Sequence, residues 1–266
     1  MNHDNLGRID HEVQGHVLVI TINRPAKRNG FTPHMLSQLA KAYSLLEDDP
    51  ALRVGLLCAA GAHFTAGLDL PTFAGLMQRG EHAVQAGDVD PLDLGTPGLR
   101  RRSKPLVVAV QGITFTLGIE LMLAADIVVA ADNCRFSQLE VKRGIMATGG
   151  ATLRMAERAG AGNALLHLLT GDEFDAAEAL RLHFVQKVVA AGTEWTQAMA
   201  IAQTIATQAP LAVVATRQSV RQAIEQGPMA ARAAFDDIQK RLANSADAAE
   251  GVRSFTEKRN AVFKGR

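Results

Sequence analysis

Residues 9 to 23, IDHEVQGHVLVITIN, alternate apolar and polar positions on either side of a glycine, the pattern of two strands joined as a hairpin. Arg24-Pro25 closes the second strand. Thr32 before Pro33 has the form of an N-cap with proline at the first helical position, and apolar residues then recur at helical spacing to about Glu47. RVGLLCA follows as a short apolar strand, and after it comes the loop GAHFTAGLD. Strand, helix, strand in this order predicts a βαβ unit and a parallel sheet. The unit returns downstream, where PLVVAVQG reads as a buried strand, TLGIELMLAAD as a short helix and IVVAA as another strand. RFSQLEV adds a short strand. After Gly149-Gly150 the spacing is helical over 152 to 169 and 176 to 182, and FVQKVVA is strand-like. Helical segments near 195 to 208, 211 to 226, 229 to 243 and 247 to 261 complete the chain.

Residues 77 to 104 sustain no period. They are punctuated by Gly80, Gly87, Pro91, Gly95, Pro97 and Gly98 and end in Arg100-Arg101-Arg102. A loop of this length in a compact domain is functional or mobile, and the short basic run reads as a solvated face. The apolar stretch from Pro105 to Ala131 is interrupted by Gln111, Thr114, Thr116, Glu120 and Asp126, which marks it as buried core rather than a membrane span. The patterns divide the chain into an α/β core, residues 1 to 195, and a C-terminal helical region, 196 to 266. Amphipathic helices in series at a terminus suit packing against a neighbouring subunit, so an oligomer is expected.

Composition narrows the function classes. With 266 residues, 47% of them hydrophobic, the chain can bury a substantial core, which excludes disorder. Twenty-eight basic against 27 acidic residues leave a formal charge of +1, so no global field draws the protein to nucleic acid or a membrane surface. Any polyanionic ligand must be met locally. The stretch MNHDNLGRIDHEV has neither a basic leader nor an apolar run, and Cys58 and Cys134 do not suggest a disulfide scaffold, so a reducing cytoplasm is expected. The histidines lack metal-ligand spacing, and no metal or redox cofactor is expected.

Glu120 lies in the most apolar part of the chain, where a lone carboxylate is costly to bury unless paired, hydrogen-bonded or protonated. By position alone it reads equally as an outward-facing or capping group and as a perturbed functional acid. Asp69 is placed to cap a helix beginning near Pro71, with the Leu68 amide just before it, and Leu117-Gly118 opens the helix carrying Glu120. Amides at helix starts carry partial positive charge and unsatisfied donors. The Leu68 and Leu117 N–H groups can therefore face one developing oxyanion, although structural capping is the plainer reading of either alone.

INRPAKRNGFTPHML, HFTAGLDL, KPLVVAVQGITFTLGIELMLAADIVVAADNCRFSQLEVKRGI and LLTGDEFDAAEALRLHFVQKVV resemble, in order and spacing, the successive motifs of the enoyl-CoA hydratase/isomerase, or crotonase, superfamily. EGVRSFTEKRNAVFKGR is similar to that family's C-terminus. The resemblance implies a crotonase-like ββα spiral core with a C-terminal helical region, assembled as a homotrimer or dimer of trimers. It implies Glu120 and Glu140 as the catalytic carboxylates, and Leu68 and Leu117 as the residues whose amides form the oxyanion hole. It also implies Lys27, Arg28, Ala66, Gly67 and Asp69 as contacts to coenzyme A, which is part of an acyl-CoA thioester substrate rather than a separate cofactor.

Retention of both glutamates points to adding or removing water. The alternatives are another crotonase reaction, isomerisation or thioester hydrolysis, and a non-catalytic acyl-CoA or RNA binder. Three departures sit beside the site: TLGIE stands where the family commonly has GGG-x-E, Leu139 where proline is usual, and ATGGAT where PGAGGT is common. Leucine at 117 is expected to narrow the acyl pocket or to demand a different local backbone angle, since only glycine moves freely into positive φ.

Overall fold

The computed structural model describes residues 6–266; the first five residues of the stretch read for a targeting leader lie outside the described residues. The hairpin is β1 (Arg8–Gln14) against β2 (Val17–Asn23), antiparallel, with Gln14 opposite Val17 across the Gly15 turn. α1 (Pro33–Asp48) starts at Thr32, whose hydroxyl accepts the Met35 N–H at 3.3 Å, and buries Met35, Leu39, Tyr43 and Leu46. β3 (Val54–Ala59) is followed by α2 (Leu70–Arg79), then β4 (Leu106–Val110), β5 (Ile113–Phe115) and α3 (Leu117–Ala124). β6 (Ile127–Ala131) and β7 (Arg135–Ser137) lead to a 3-10 turn over Glu140–Arg143. Next come α4 (Ala151–Ala159), α5 (Ala161–Thr170), β8 (Phe174–Asp175), α6 (Ala176–Arg181) and β9 (Lys187–Val189). The chain ends in α7 (Glu194–Ala206), α8 (Pro210–Gln226), α9 (Pro228–Ala233), α10 (Phe235–Ala243) and α11 (Ala246–Glu257).

Six strands form one sheet in the order β1-β2-β3-β4-β6-β9, parallel throughout except for the opening hairpin, and β5-β7-β8 form a second, smaller sheet. The inner strands β2, β3, β4 and β6 are apolar on both faces because both are covered, whereas the edge strand β1 is polar and exposed. One face carries Leu18, Ile20, Leu57, Val108 and Val128 into a core shared with α1 and α3. The other carries Val19, Leu56, Val107 and Val129 against Ala198, Met199 and Ala202 of α7. The first helix of the C-terminal region, α7, therefore packs on the core sheet.

The long periodic stretch 152 to 169 is two helices, broken at Gly160, whose backbone (φ 77, ψ 155) lies outside the helical region. The basic run is not a solvated face. Arg100 is half-buried and pairs with Asp48, Arg101 reaches Asp93 and Glu225, and Arg102 is 1% exposed. The Arg102 guanidinium donates to Asp126 at 2.8 Å, to the Ala124 carbonyl at 3.0 Å and to the Lys104 carbonyl. A buried guanidinium persists only when its charge and donors are met, and these partners meet them.

The 80–105 segment is ordered by the same logic. The Asp90 carboxylate accepts from the Leu92 and Leu94 N–H groups and the Thr96 hydroxyl, and Arg217 of α8 bridges Asp93 and Asp126. Both cysteines are buried and unpaired. No single helix among the described residues is long and apolar enough to cross a membrane.

Candidate active site

The loop that carries Leu68 is framed from the first motif. The Arg24 guanidinium, 7% exposed, donates to the Gly30 carbonyl and to Asp69 at 2.8 Å each. The Asn29 amide donates to the carbonyls of Ala60 and His63 at 2.8 Å each, and its carbonyl accepts the Arg24 N–H. Backbone bonds then fix the loop residue by residue. Ala66 N–H donates to Arg28, Gly67 N–H to the Thr65 hydroxyl and Asp69 N–H to Phe31, while the Gly67 carbonyl accepts from Phe31. Among the described residues no acceptor takes the Leu68 N–H. A donor left open in a loop so fully bonded is held ready for a ligand.

Asp69 stands at the N-cap position of α2, but its side chain makes no cap bond, contrary to the expectation from sequence. Arg24 claims the carboxylate, so Asp69 braces the loop, and only its carbonyl serves the helix start, accepting the Thr72 hydroxyl at 2.7 Å.

The second amide arises at the turn from β5 into α3. Leu117 is the first residue of that helix, where an N–H has no intrahelical partner, and none is found for it among the described residues. Leucine at this position does not demand an unusual backbone angle. The strained residue is the one before it: Thr116 has φ 49 and ψ −113, a region that favours glycine. Its hydroxyl occupies space that Gly67 leaves open, since a Cβ on Gly67 would sit 1.8 Å from Thr116 Oγ1, and Gly67 itself has φ 100. The two backbone segments that carry the open amides thus approach each other at a contact only glycine permits.

Glu120 projects from the first turn of α3 and is 5% exposed. Its carboxylate accepts from the N–H groups of Gly149 and Ala151, the latter at 3.5 Å. Gly149 is required there, because a Cβ would fall 2.3 Å from Glu120 Oε2. Burial pushes the Glu120 carboxyl up to about 7, and the charge of Glu140 adds to the rise. The two N–H groups and Arg154 pull the other way. Glu140 opens the 3-10 turn and is also raised, by burial. The buried Gln138 amide lies 3.0 and 3.2 Å from the two Glu140 oxygens, within donating distance of its NH2 group.

Ala66, Leu68, Thr116, Leu117, Glu120 and Glu140 line one cavity of about 250 Å³, extended by the apolar side chains of Leu70, Met77, Ile145 and Met146. The cavity therefore unites residues with two open amide donors and two carboxyls that burial raises, Glu120 to about 7. Such a site can stabilise negative charge on a carbonyl oxygen while moving a proton to and from neighbouring carbons. Lys27 and Arg28 lie on the exposed 3-10 turn Pro25–Lys27 and its cap, whose carbonyl bonds to Ala66, and neither lines the cavity itself. Gly149, Thr116 and Arg24 carry no sequence signal of their own for these roles, since each acts through a partner remote in the chain, and Gln138 is read only once its amide is seen against Glu140.

The sequence model of the enoyl-CoA hydratase/isomerase family matches residues 12–266. The chain is 34% identical over 260 residues to an enoyl-CoA hydratase, EchA19, of Mycobacterium tuberculosis, covering 96% of each. It is 33% identical over 264 residues to a carnitinyl-CoA dehydratase of Proteus mirabilis, covering 95% of this chain and 97% of that protein. A crystal structure of a probable enoyl-CoA hydratase/isomerase from Mycobacterium abscessus superposes with a TM-score of 0.94 at 46% identity, covering 97% of this chain and 98% of the other. With the α/β spiral, the helical C-terminal region and a full-length match, the chain belongs to the enoyl-CoA hydratase/isomerase family of the crotonase superfamily.

Proposed function

We propose that the protein adds water across the double bond of a 2-enoyl-CoA thioester, and removes it in reverse, with Leu68 and Leu117 as oxyanion donors and Glu120 and Glu140 as the acid–base pair. The observation that carries this reading is the opening of both free amides and both raised carboxyls into one cavity.

The thioester oxygen accepts the Leu68 and Leu117 N–H groups. As water adds at C3, negative charge moves to that oxygen as an enolate, and fixed backbone dipoles stabilise it without the reorganisation that mobile water requires. The attacking water gives a proton to one carboxylate and C2 receives one from the other; Glu140 faces C2 and Glu120 orients and activates the water. In the empty site burial leaves the stronger hold on the shared proton at Glu120. A water bridging the two acids lets that proton exchange, so the pair acts as one coupled unit.

Lys27 and Arg28 supply cations for the phosphates of coenzyme A. The Ala66 carbonyl, which accepts from no described donor, is left for the adenine amine, and Gly67 and Asp69 hold the loop that presents it. Assembly as a trimer or dimer of trimers is supported by exposed apolar faces, Leu165, Leu166 and Leu169 on α5 and Val252 and Phe255 on α11. Incubation with 2-enoyl-CoA esters of graded length tests the reading through loss of the conjugated thioester absorbance. A 3-hydroxyacyl-CoA product supports it, and an isomer, free coenzyme A or no turnover at any length overturns it.

A further inference from the structure

The cavity holds a cation that the hydration chemistry does not use. Arg143 closes the 3-10 turn Glu140–Arg143 and lines the same cavity as the two glutamates. A 3-10 helix repeats every three residues, so positions 140 and 143 fall on one face and project the same way. The neighbour on the other side of the turn, Lys142, is drawn off to Asp172 and packs near Gly171, which orients the turn with Glu140 and Arg143 toward the cavity.

Arg143 has no carboxylate or carbonyl partner among the described residues, whereas Arg101, Arg102 and Arg217 each hold a carboxylate. Nor does it neutralise the catalytic acids. Burial alone raises Glu140, with no counter-charge from Arg143, and the guanidinium that tempers Glu120 is that of Arg154. Arg143 is thus an exposed cation in the cavity lining that a ligand can reach without breaking a protein contact.

Its place along the substrate follows from the proposed reaction. The thioester oxygen lies at the Leu68 and Leu117 amides and C2 and C3 lie at the glutamates, so the acyl chain continues past Glu140. Three residues at about 2 Å rise carry the turn roughly 6 Å from Glu140 to Arg143, a few bonds beyond C3. Ile145, Met146 and Met77 give this part of the cavity apolar walls, which suit methylene groups, and Arg143 with Thr148 gives it a polar end. A guanidinium presents a planar fork of donors that matches a carboxylate in two parallel hydrogen bonds.

We infer that Arg143 is a specificity-determining residue that selects acyl-CoA substrates carrying a carboxylate at the far end of the acyl group. This rests on the reading of the site as acting on enoyl-CoA thioesters, and it names the substrate class. An acyl chain ending in methyl leaves the guanidinium unmatched, and a site built around a polar partner discriminates strongly against the analogue that lacks it.

The matched pair trans-2-hexenoyl-CoA and 5-carboxy-trans-2-pentenoyl-CoA, which differ only in a terminal methyl against a carboxylate, tests the assignment. The wild-type protein is expected to show the higher kcat/KM for the carboxylated ester. Arg143→Met should reduce the ratio of the two kcat/KM values by roughly 10- to 100-fold, the worth of one charge-assisted contact, and Arg143→Lys should restore part of it. An unchanged ratio overturns the inference. So does an equal fall for both esters, which places Arg143 on a coenzyme A phosphate instead.

Competition by the saturated esters adipyl-CoA and hexanoyl-CoA reads the same selectivity without turnover. If the wild-type protein hydrates neither ester yet binds adipyl-CoA in preference through Arg143, the hydratase reading fails and the acyl selectivity stands. If both esters are hydrated without preference, only the selectivity fails.

Discussion

In the proposed reaction Glu120 joins stability to catalysis through a single proton. A carboxyl raised from 4.5 to about 7 holds its proton more tightly in the folded than in the unfolded chain. Its contribution to stability is therefore whole below about pH 4.5 and is lost as pH rises through 7, a loss of ~3 kcal/mol. Glu120→Gln keeps an acceptor for the Gly149 and Ala151 N–H groups and removes the buried charge. Urea unfolding should therefore find this variant more stable than the parent at pH 8, by up to ~3 kcal/mol, and equal to it at pH 4.5, while hydration is lost. A variant less stable at pH 8 would contradict the assigned burial cost. At this scale the residues of the cavity were legible, because Glu120, Glu140, Leu68 and Leu117 stand in motifs whose spacing is that of the family, and the fold brings all four to one cavity. Their supports were not. Gly149 under Glu120, Gln138 against Glu140 and Arg24 on Asp69 are contacts made by folding, and Asp69 reads as a helix cap until Arg24 is seen to claim it.

Between residue and molecule, the site depends on two backbone turns meeting at Gly67. Gly67→Ala would place a Cβ 1.8 Å from Thr116 Oγ1 at a φ of 100, so one turn must yield. Displacing one oxyanion donor lowers kcat by roughly 10²- to 10³-fold, measurable in steady-state hydration with KM changed far less. An element further away, α8, holds the 80–105 segment by Arg217, which bridges Asp93 and Asp126. Arg217→Ala leaves two carboxylates short of a partner and should cost about 3 kcal/mol in urea unfolding. Elements were the most legible level. The strand–helix alternation predicts the parallel sheet, and the Thr32-Pro33 start of α1 is found as read. The misreadings have one source: periodicity reports a face but not what covers it. It could not show that Arg102 is drawn inward by Asp126, that Gly160 breaks a continuous helical pattern, or that α7 seals the second face of the sheet.

At the scale of the whole molecule, the α/β core holds a cavity lined by residues with open backbone donors and by two acids, and the helices beyond α7 expose apolar side chains. The central claim is that this cavity adds water to an enoyl thioester, and isotope transfer tests it most directly. Wild-type protein and Glu140→Gln are each incubated with a trans-2-enoyl-CoA in water enriched in oxygen-18, and the product is weighed by mass spectrometry. The account predicts one oxygen-18 at C3 of a 3-hydroxyacyl-CoA from the wild-type protein, and a rate at least 10²-fold lower from a fully folded Glu140→Gln. Label in a free carboxylic acid, no label in any product, or an undiminished rate in the variant would contradict it.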